Sequence, residues 1–355
     1  MPKMPRPIVD GLNFTTADQI RPKRVPWFWR HWLPGGFVGL LGGHPGIGKS
    51  TVLVDLAARI SRGEVMPDDS AGPEAGMVML LSGEDSHEHT VIPRLMAAEA
   101  NLKNVIVEAQ VGVPTVSDDD EQHLEAEPFN FEAHRDLLEE AMTEHPIQLV
   151  ILDPLTLFIG DNDRKSYSKV YAAMLPLIEF AARHEVAVIG NTHLNKGKDM
   201  TAMQRIMDST GLVAAPRFLW MAAQDKDGYS MLWVEKSNLG PKPPGLHFEI
   251  EPVEVSLPPT KKRPQETFET TRVKWLGEAD RQGGEIIESE GRPKREREEV
   301  KDYLLRVLKD GAVLAKEVQK GTTISKRTLD TAKVELGIRS FRKVFQGPSY
   351  WKLPD

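Results

Sequence analysis

Gly43-His44-Pro45-Gly46-Ile47-Gly48-Lys49-Ser50 has the spacing GxxxxGK[ST] and lies between an apolar run and a stretch with apolar residues at helical intervals. Glycines in such a turn let successive backbone N–H groups curl around phosphate oxygens, and the amino end of the following helix adds a favourable dipole. Lys49 is placed to reach β- and γ-phosphate oxygens, and the Ser50 hydroxyl to ligate Mg2+. Gly43, Pro45, Gly46, Ile47, Gly48 and Thr51 complete the expected contact set. The competing reading, a glycine-rich turn that matches by chance, does not account for the strand-like run before it and the helix-like run after it.

Such a site also needs an acid at the end of another buried strand to hold the magnesium through water. Leu149-Val150-Ile151-Leu152-Asp153 supplies one, although an Asp in that place also serves to cap a turn. Hydrolysis requires in addition a group that orients and deprotonates water. Glu84 follows the apolar run 77–82 and is the expected base, with Asp85 as the alternative. His193 ends a further apolar run, where a neutral imidazole can donate to a γ-phosphate; a buried structural histidine is the other reading. His87-Glu88-His89 is not expected to bind a metal, because residues two apart on a helix point to different faces and no third ligand is evident.

These side chains must be presented by strand ends. Apolar runs at residues 37–42, 77–82, 105–108, 148–152 and 186–191 read as strands, and amphipathic stretches at 49–61, 131–144 and 167–184 read as helices. The alternation predicts an α/β fold with a mainly parallel sheet covered by helices. Runs at 218–223, 231–235, 246–250 and 271–275 have no helices between them and are expected to extend the sheet antiparallel. The acidic, proline-containing stretch 113–128 reads as a surface excursion, and 257–270 as similar. Residues 277–295, with four glycines and a proline, read as a linker.

The 355 residues suggest two domains, and 40% hydrophobic with 27% charged residues suits a packed core. No apolar run approaches the length of a bilayer span, and residues 1–8 lack the apolar region of a secretory signal, so a cytoplasmic protein is expected. The absence of cysteine excludes disulfides, zinc fingers and thiolate chemistry. Residues 291–355 hold 16 Lys and Arg against 9 Asp and Glu, whereas the preceding residues hold 29 against 43. A basic end on an acidic body points to a polyanionic partner. Three helical stretches and a terminal hairpin in 296–355 resemble a winged helix. Its third helix and wing carry Lys326, Arg327, Lys333, Arg339, Arg342 and Lys343, expected to contact duplex DNA, with a protein-binding module as the alternative.

Taken in order, residues 43–51, Ser82-Gly83-Glu84-Asp85, Arg94-Leu95, Ile151-Leu152-Asp153-Pro154-Leu155, His193-Leu194-Asn195-Lys196 and Lys236-Ser237-Asn238-Leu239-Gly240-Pro241 resemble RecA-like ATPases related to the plasmid replicative helicase RepA, in a phage or mobile-element form. The resemblance covers about residues 27–276, after an amino-terminal tail of 1–26. It implies a ring-shaped, usually hexameric ATPase, with ATP as the nucleotide. By motif match it makes Glu84 the base, Arg94 a contact near the γ-phosphate, His193 a sensor, Arg217 an arginine finger toward the neighbouring subunit and Lys236 a second such cation. An internal ion pair is the other reading of Arg217. Loops carrying Arg164, Lys165, Lys196 and Lys198 would face the channel and track single-stranded DNA, and a primase or initiator is a possible partner. Asp208 stands where relatives have glycine, an acid in a loop where backbone freedom is expected. A regulatory DNA-bound ATPase and a filament-forming recombination mediator are the alternatives.

Overall fold

The structure, a computed structural model, describes residues 14–108, 110–116, 122–142, 144–158, 167–193, 214–224, 229–259, 264–279, 294–309, 311–322, 329, 332–333, 336–342 and 349–354. A short hairpin, β1 (Trp27–Trp29) and β2 (Leu33–Pro34), precedes β3 (Val38–Gly43) and α1 (Lys49–Arg62). Then come β4 (Met77–Ser82), α2 (Ile92–Ala97), β5 (Val105–Ile106), β6 (Gln110–Val116), β7 (Gln122–Pro128), α3 (Phe131–Ala141), β8 (Ile147–Asp153), α4 (Tyr167–His184) and β9 (Ala187–His193). The strands β10 (Phe218–Gln224), β11 (Ser230–Ser237), β12 (Leu246–Leu257) and β13 (Glu266–Glu278) follow.

Nine strands form one sheet in the order β13-β12-β11-β10-β3-β9-β8-β4-β5. From β10 to β5 every described pairing is parallel. Central strands can be apolar throughout because both faces are covered. Val38, Leu40, Val150, Leu152 and Val188 point into a core shared with α3 and α4. Their neighbours Leu41, Leu149, Ile151 and Ile189 point to the other face, against residues of α1, α2 and the β1–β2 segment. On that second face Trp29 and Trp32 stack at 4.5 Å and both meet the edge of Trp220, whose indole N–H donates to the Trp32 carbonyl. All three rings are buried, and aromatic pairs of this kind add about 0.5–1.5 kcal/mol beyond the area they remove from water.

The expected course of the chain is corrected in one place and gains detail in two others. The 218–223 run was expected antiparallel, but β10 lies parallel to β3, with Phe218 opposite Gly39 and Ala222 opposite Gly43; only β11, β12 and β13 extend the sheet antiparallel. The stretch 113–128, read as a surface excursion, lies outside the main sheet and has regular structure of its own: β6 and β7 pair along their whole length as a separate two-stranded ribbon. In a ribbon both strands are edges, which is where Pro114 and Pro128 are tolerated without breaking a ladder. Residues 257–270 likewise belong mostly to a long hairpin, in which Leu257 pairs with Glu266. β13 then runs through Gly277 and Glu278 into the segment read as linker, and buried Ala279 donates its N–H to Gly245.

That hairpin also braces α1. The Asp55 carboxylate accepts from the indole N–H of Trp275 on β13 and from Arg59, both at 2.8 Å, and Asp55 is buried. Asp55→Ala would leave a covered indole donor and a half-buried guanidinium without their acceptor. We expect a loss of about 2–3 kcal/mol in urea unfolding; an unchanged midpoint would mean that the brace carries no weight.

Residues 294–354 form a smaller unit: α5 (Lys294–Val307), β14 (Val313–Leu314), α6 (Ala315–Lys320), helical residues 329 and 332–333, then β15 (Arg339–Arg342) and β16 (Ser349–Lys352). A two-residue strand, β14, precedes the second of the expected helices. The strands lie in the order β14-β16-β15, over a core that includes Val300, Leu304, Leu308, Val318, Leu329, Ile338 and Trp351. Among the described residues no helix is long and apolar enough to cross a membrane.

Candidate functional site

The chain passes from β3 to β4 over two intervening strands, β9 and β8, so a crevice opens beyond the carboxyl ends of these strands. Ligands bind at such switch points in open α/β sheets. The register brings the expected residues to that edge: Gly43 pairs with His193 and with Ala222, and Ser82 pairs with Asp153.

The turn from β3 to α1 depends on glycine at two places. Gly46 has φ +79° with open space where a side chain would stand, so nothing but backbone faces the crevice there. Gly48, at φ +96°, is the amino cap of α1, and a Cβ on it would lie 2.7 Å from Ile250 of β12. Thus β12 buttresses the loop from behind, a contact not foreseen from the residue pattern. Ile47 and Thr51 are buried, Ser50 is half-buried, and Pro45 and Gly46 are exposed.

Lys49 is only 4% exposed and donates to the carbonyls of Gly43 at 2.9 Å and His44 at 3.0 Å. Burial lowers the pKa of its ammonium to about 8, against the pull of the Asp153 and Glu84 charges, which raise it. Desolvation outweighs the pull of the two carboxylates on this cation, and the added negative charge of a polyphosphate would favour its charged form further.

Asp153 ends β8, and its carboxylate accepts from the amide nitrogen of Asn191 on β9. The acceptor-only carboxylate fixes which way the Asn191 amide points. Its Oδ1 is left buried and without a hydrogen-bond partner, on a residue only 2% exposed. Asn191 was missed in the sequence, although an amide emerging from the apolar run 186–190 is the same signal that singled out Asp153. The two oxygens suit the waters of a hydrated divalent cation that also meets the Ser50 hydroxyl, so the residues present fit Mg2+.

Beyond β4, Ser82 accepts the N–H of Asp85, and the Asp85 carboxylate is bound by Arg94 of α2 at 2.9 Å. Arg94, expected near a γ-phosphate, is therefore tied to Asp85, and Asp85 is engaged as an ion-pair partner. Glu84 is exposed and its charge acts on Lys49, which favours it over Asp85 as the base. The backbone of His193 sits beside Gly43; its side chain lies outside the described residues.

Arg217 lies at the far edge. Its N–H donates to Val38 at 2.9 Å and its carbonyl accepts from Asn238 at 3.1 Å, so it stands beside the first residue of β3, about 16 Å of strand from Gly43. Its side chain is exposed. Lys236 is on the same edge, donating to the Pro216 carbonyl at 2.9 Å; burial and the Arg217 charge both lower its pKa. Neither cation reaches the phosphate loop of its own chain. A nucleotide contact by Lys236 is therefore left only to a neighbouring copy, as the resemblance implies.

Arg164, Lys165, Lys196, Lys198, Asp208, Lys326, Arg327 and Lys343 lie outside the described residues, as does the side chain of Arg342. Arg339 is exposed, whereas Lys333 lies over the Trp351 ring at 5.0 Å and so helps to close its own small core.

Comparison with curated proteins gives no match. A family model of the AAA domain matches residues 7–199, more than half of the chain, from ahead of the phosphate loop through Glu84 and Asp153 to just past His193. A loop that cradles phosphate, a buried lysine and acids at the ends of β4 and β8 are what ATP hydrolysis asks of such a match, and the chain belongs to the AAA domain family of P-loop ATPases.

Proposed function

We propose that the protein is an ATP-driven motor on DNA, a ring-forming replicative helicase or single-strand translocase of the RepA type, whose carboxy-terminal unit binds duplex DNA as a winged helix. The reading rests on Arg217: an exposed guanidinium at the sheet edge opposite the phosphate loop serves a nucleotide only across a subunit boundary, as in a ring.

Within one site, the loop N–H groups and Lys49 bind the β- and γ-phosphates, and Glu84 takes a proton from water as its oxygen attacks the γ-phosphorus. The bond to the β-γ bridging oxygen breaks, and ADP leaves with that oxygen. Mg2+, when bound, would draw charge from the phosphate oxygens, held by Ser50 and through water by Asp153 and Asn191. Arg217 of a neighbouring copy adds positive charge on the far side, and His193 reports phosphate loss to the loop with Lys196 and Lys198. Those lysines, with Arg164 and Lys165, follow the single strand.

Support for the winged helix comes from the element order of residues 294–354, the three-stranded sheet, and the 16 to 9 excess of basic over acidic residues from Gly291 onward. Lys326, Arg327, Lys333, Arg339, Arg342 and Lys343 are its proposed phosphate and groove contacts. A cytoplasmic protein that works beside a primase or an initiator follows from this role.

The deciding experiment is strand displacement on forked duplexes with either single-stranded tail, beside ATP hydrolysis with and without single-stranded DNA. Stimulated hydrolysis with unwinding supports the motor; hydrolysis without displacement on either fork assigns a regulatory ATPase. Removing residues 294–355 is expected to leave intrinsic hydrolysis within about twofold, since these residues have their own core, while duplex affinity and its salt dependence drop. Unchanged duplex binding after truncation would refute the terminal DNA site.

A further inference from the structure

The β14-β16-β15 sheet has one side in the core and one in solvent. Trp351, 3% exposed, marks the inner side, and its register partners Val313 and Ser340 share it. Alternation then sends Leu314, Arg339, Phe341, Tyr350 and Lys352 outward. Phe341 and Leu314 both pair with Tyr350, and Arg339 pairs with Lys352. Phe341 is 39% exposed, Arg339 and Lys352 are exposed, and Tyr350 is half-buried. The Phe341 and Tyr350 rings are nearly parallel, at 26°, with centroids 5.9 Å apart. No acidic residue occurs in any of the three strands.

Two neighbouring rings lie on the solvent side of this sheet, and the row beside them carries two cations and no anion. We propose that this outer face binds single-stranded nucleic acid, with Phe341 and Tyr350 as stacking platforms for bases and Arg339 and Lys352 on the adjoining phosphates. The proposal deepens the DNA-binding reading and rests on it. The two rows are about 7 Å apart along the strands, which lets one nucleotide place its base on a ring and its phosphate by a cation. A duplex fits the rings poorly, because its bases are already stacked and only their edges are open, whereas an unpaired strand offers whole base faces. A polyanion with flat bases uses both features at once, the rings for stacking and the cations for phosphate. Arg339, counted above among duplex contacts, belongs by register to this face.

The test uses the full-length protein without nucleotide, with fluorescein-labelled oligothymidylate and a separate blunt duplex as ligands, read by anisotropy. Phe341→Leu with Tyr350→Leu keeps apolar bulk and removes the rings. The expected result is a loss of about 10- to 100-fold in oligothymidylate affinity, with duplex affinity, melting temperature and basal hydrolysis unchanged. Phe341→Trp with Tyr350→Trp should retain binding. Bromouracil in the same oligonucleotide should photo-cross-link to Phe341 or Tyr350, which separates this face from any single-strand binding by residues 27–279. Unchanged oligothymidylate affinity in the double leucine variant, or cross-links confined to residues 27–279, overturns the proposal. So does an equal loss of duplex affinity, which would make this a general duplex contact, or altered hydrolysis with unaltered DNA binding, which would make it a protein-docking face. If wild-type protein ignores duplex yet binds single strands through the rings, the winged-helix duplex reading fails and this one stands; if it binds neither, both fail.

Discussion

Lys49→Met is expected to lower ATP hydrolysis by at least about 100-fold without lowering the melting temperature. The first half follows from place: Lys49 is the buried cation between Gly43, Asp153 and Glu84, whereas Arg217 lies about 16 Å of strand away and the Lys236 ammonium donates to the Pro216 carbonyl. The second half follows from linkage. Burial brings the folded pKa down to about 8 from 10.5, so the folded chain holds this proton less readily than the unfolded chain. The cost to folding is complete below about pH 8, shrinks as pH rises toward 10.5 and is absent above it; it is on the order of 3 kcal/mol. Methionine has similar length and no charge, so it removes that cost, at the expense of the hydrogen bonds to the Gly43 and His44 carbonyls. At about pH 7 the variant should therefore melt at or above wild type, and the wild type should gain on it as pH approaches about 10. Phosphate release and thermal melts on the same samples check both halves. Hydrolysis within tenfold of wild type would remove Lys49 from the site, and a melting temperature several degrees lower would make it a structural residue.

How much of this was legible in the sequence depended on whether a residue's place followed from its local run or from its neighbours in space. Gly43 to Thr51 and Asp153 were legible because strand, turn and helix signals surround them and each run carries its own side chain to the carboxyl edge. The choice between Glu84 and Asp85 was not: the two are adjacent, and only the packing of α2 shows Arg94 holding Asp85. Asn191 was overlooked because an amide lacks the charge that draws attention, yet its bond to Asp153 crosses between strands far apart in sequence. Ile250 and Trp275 are ordinary apolar residues in a late strand pair, and their contacts with Gly48 and Asp55 arise from a fold-back of the whole hairpin. Proline and acidic residues hid the strand pairing within 113–128, since a free ribbon needs no apolar face and tolerates proline at its edges. The parallel course of β10 was hidden for a related reason: residues 201–213 before it carry no clear helical signal, and strand direction depends on the path of that crossover.

Arg217→Ala is expected to bind ATP with near-normal affinity while hydrolysing it at least about 100-fold more slowly, because Lys49, Ser50, Asp153 and Glu84 of the same chain are untouched and sit at the opposite sheet edge. The local cost should be small, since the backbone N–H and carbonyl of residue 217 keep their bonds to Val38 and Asn238 whatever the side chain. Removing the guanidinium also removes a repulsion from Lys236, whose pKa should rise back toward its ordinary value. Direction is tested by mixing. Arg217→Ala and Glu84→Ala proteins are each expected to be inactive alone. Where a Glu84-bearing site of the first meets an Arg217 of the second, one boundary has an intact base and an intact finger, so the mixture should regain measurable hydrolysis that peaks near equal proportions. A tagged pull-down must first show that the two proteins exchange into common assemblies. Given exchange, a mixture that stays inactive at every ratio rules out action across the boundary. Normal hydrolysis by Arg217→Ala alone removes the residue from catalysis, and with it the main support for a ring. Recovery in the mixture makes the subunit boundary part of the active site: no single copy of this chain is then a complete enzyme, and assembly itself becomes the switch that permits turnover.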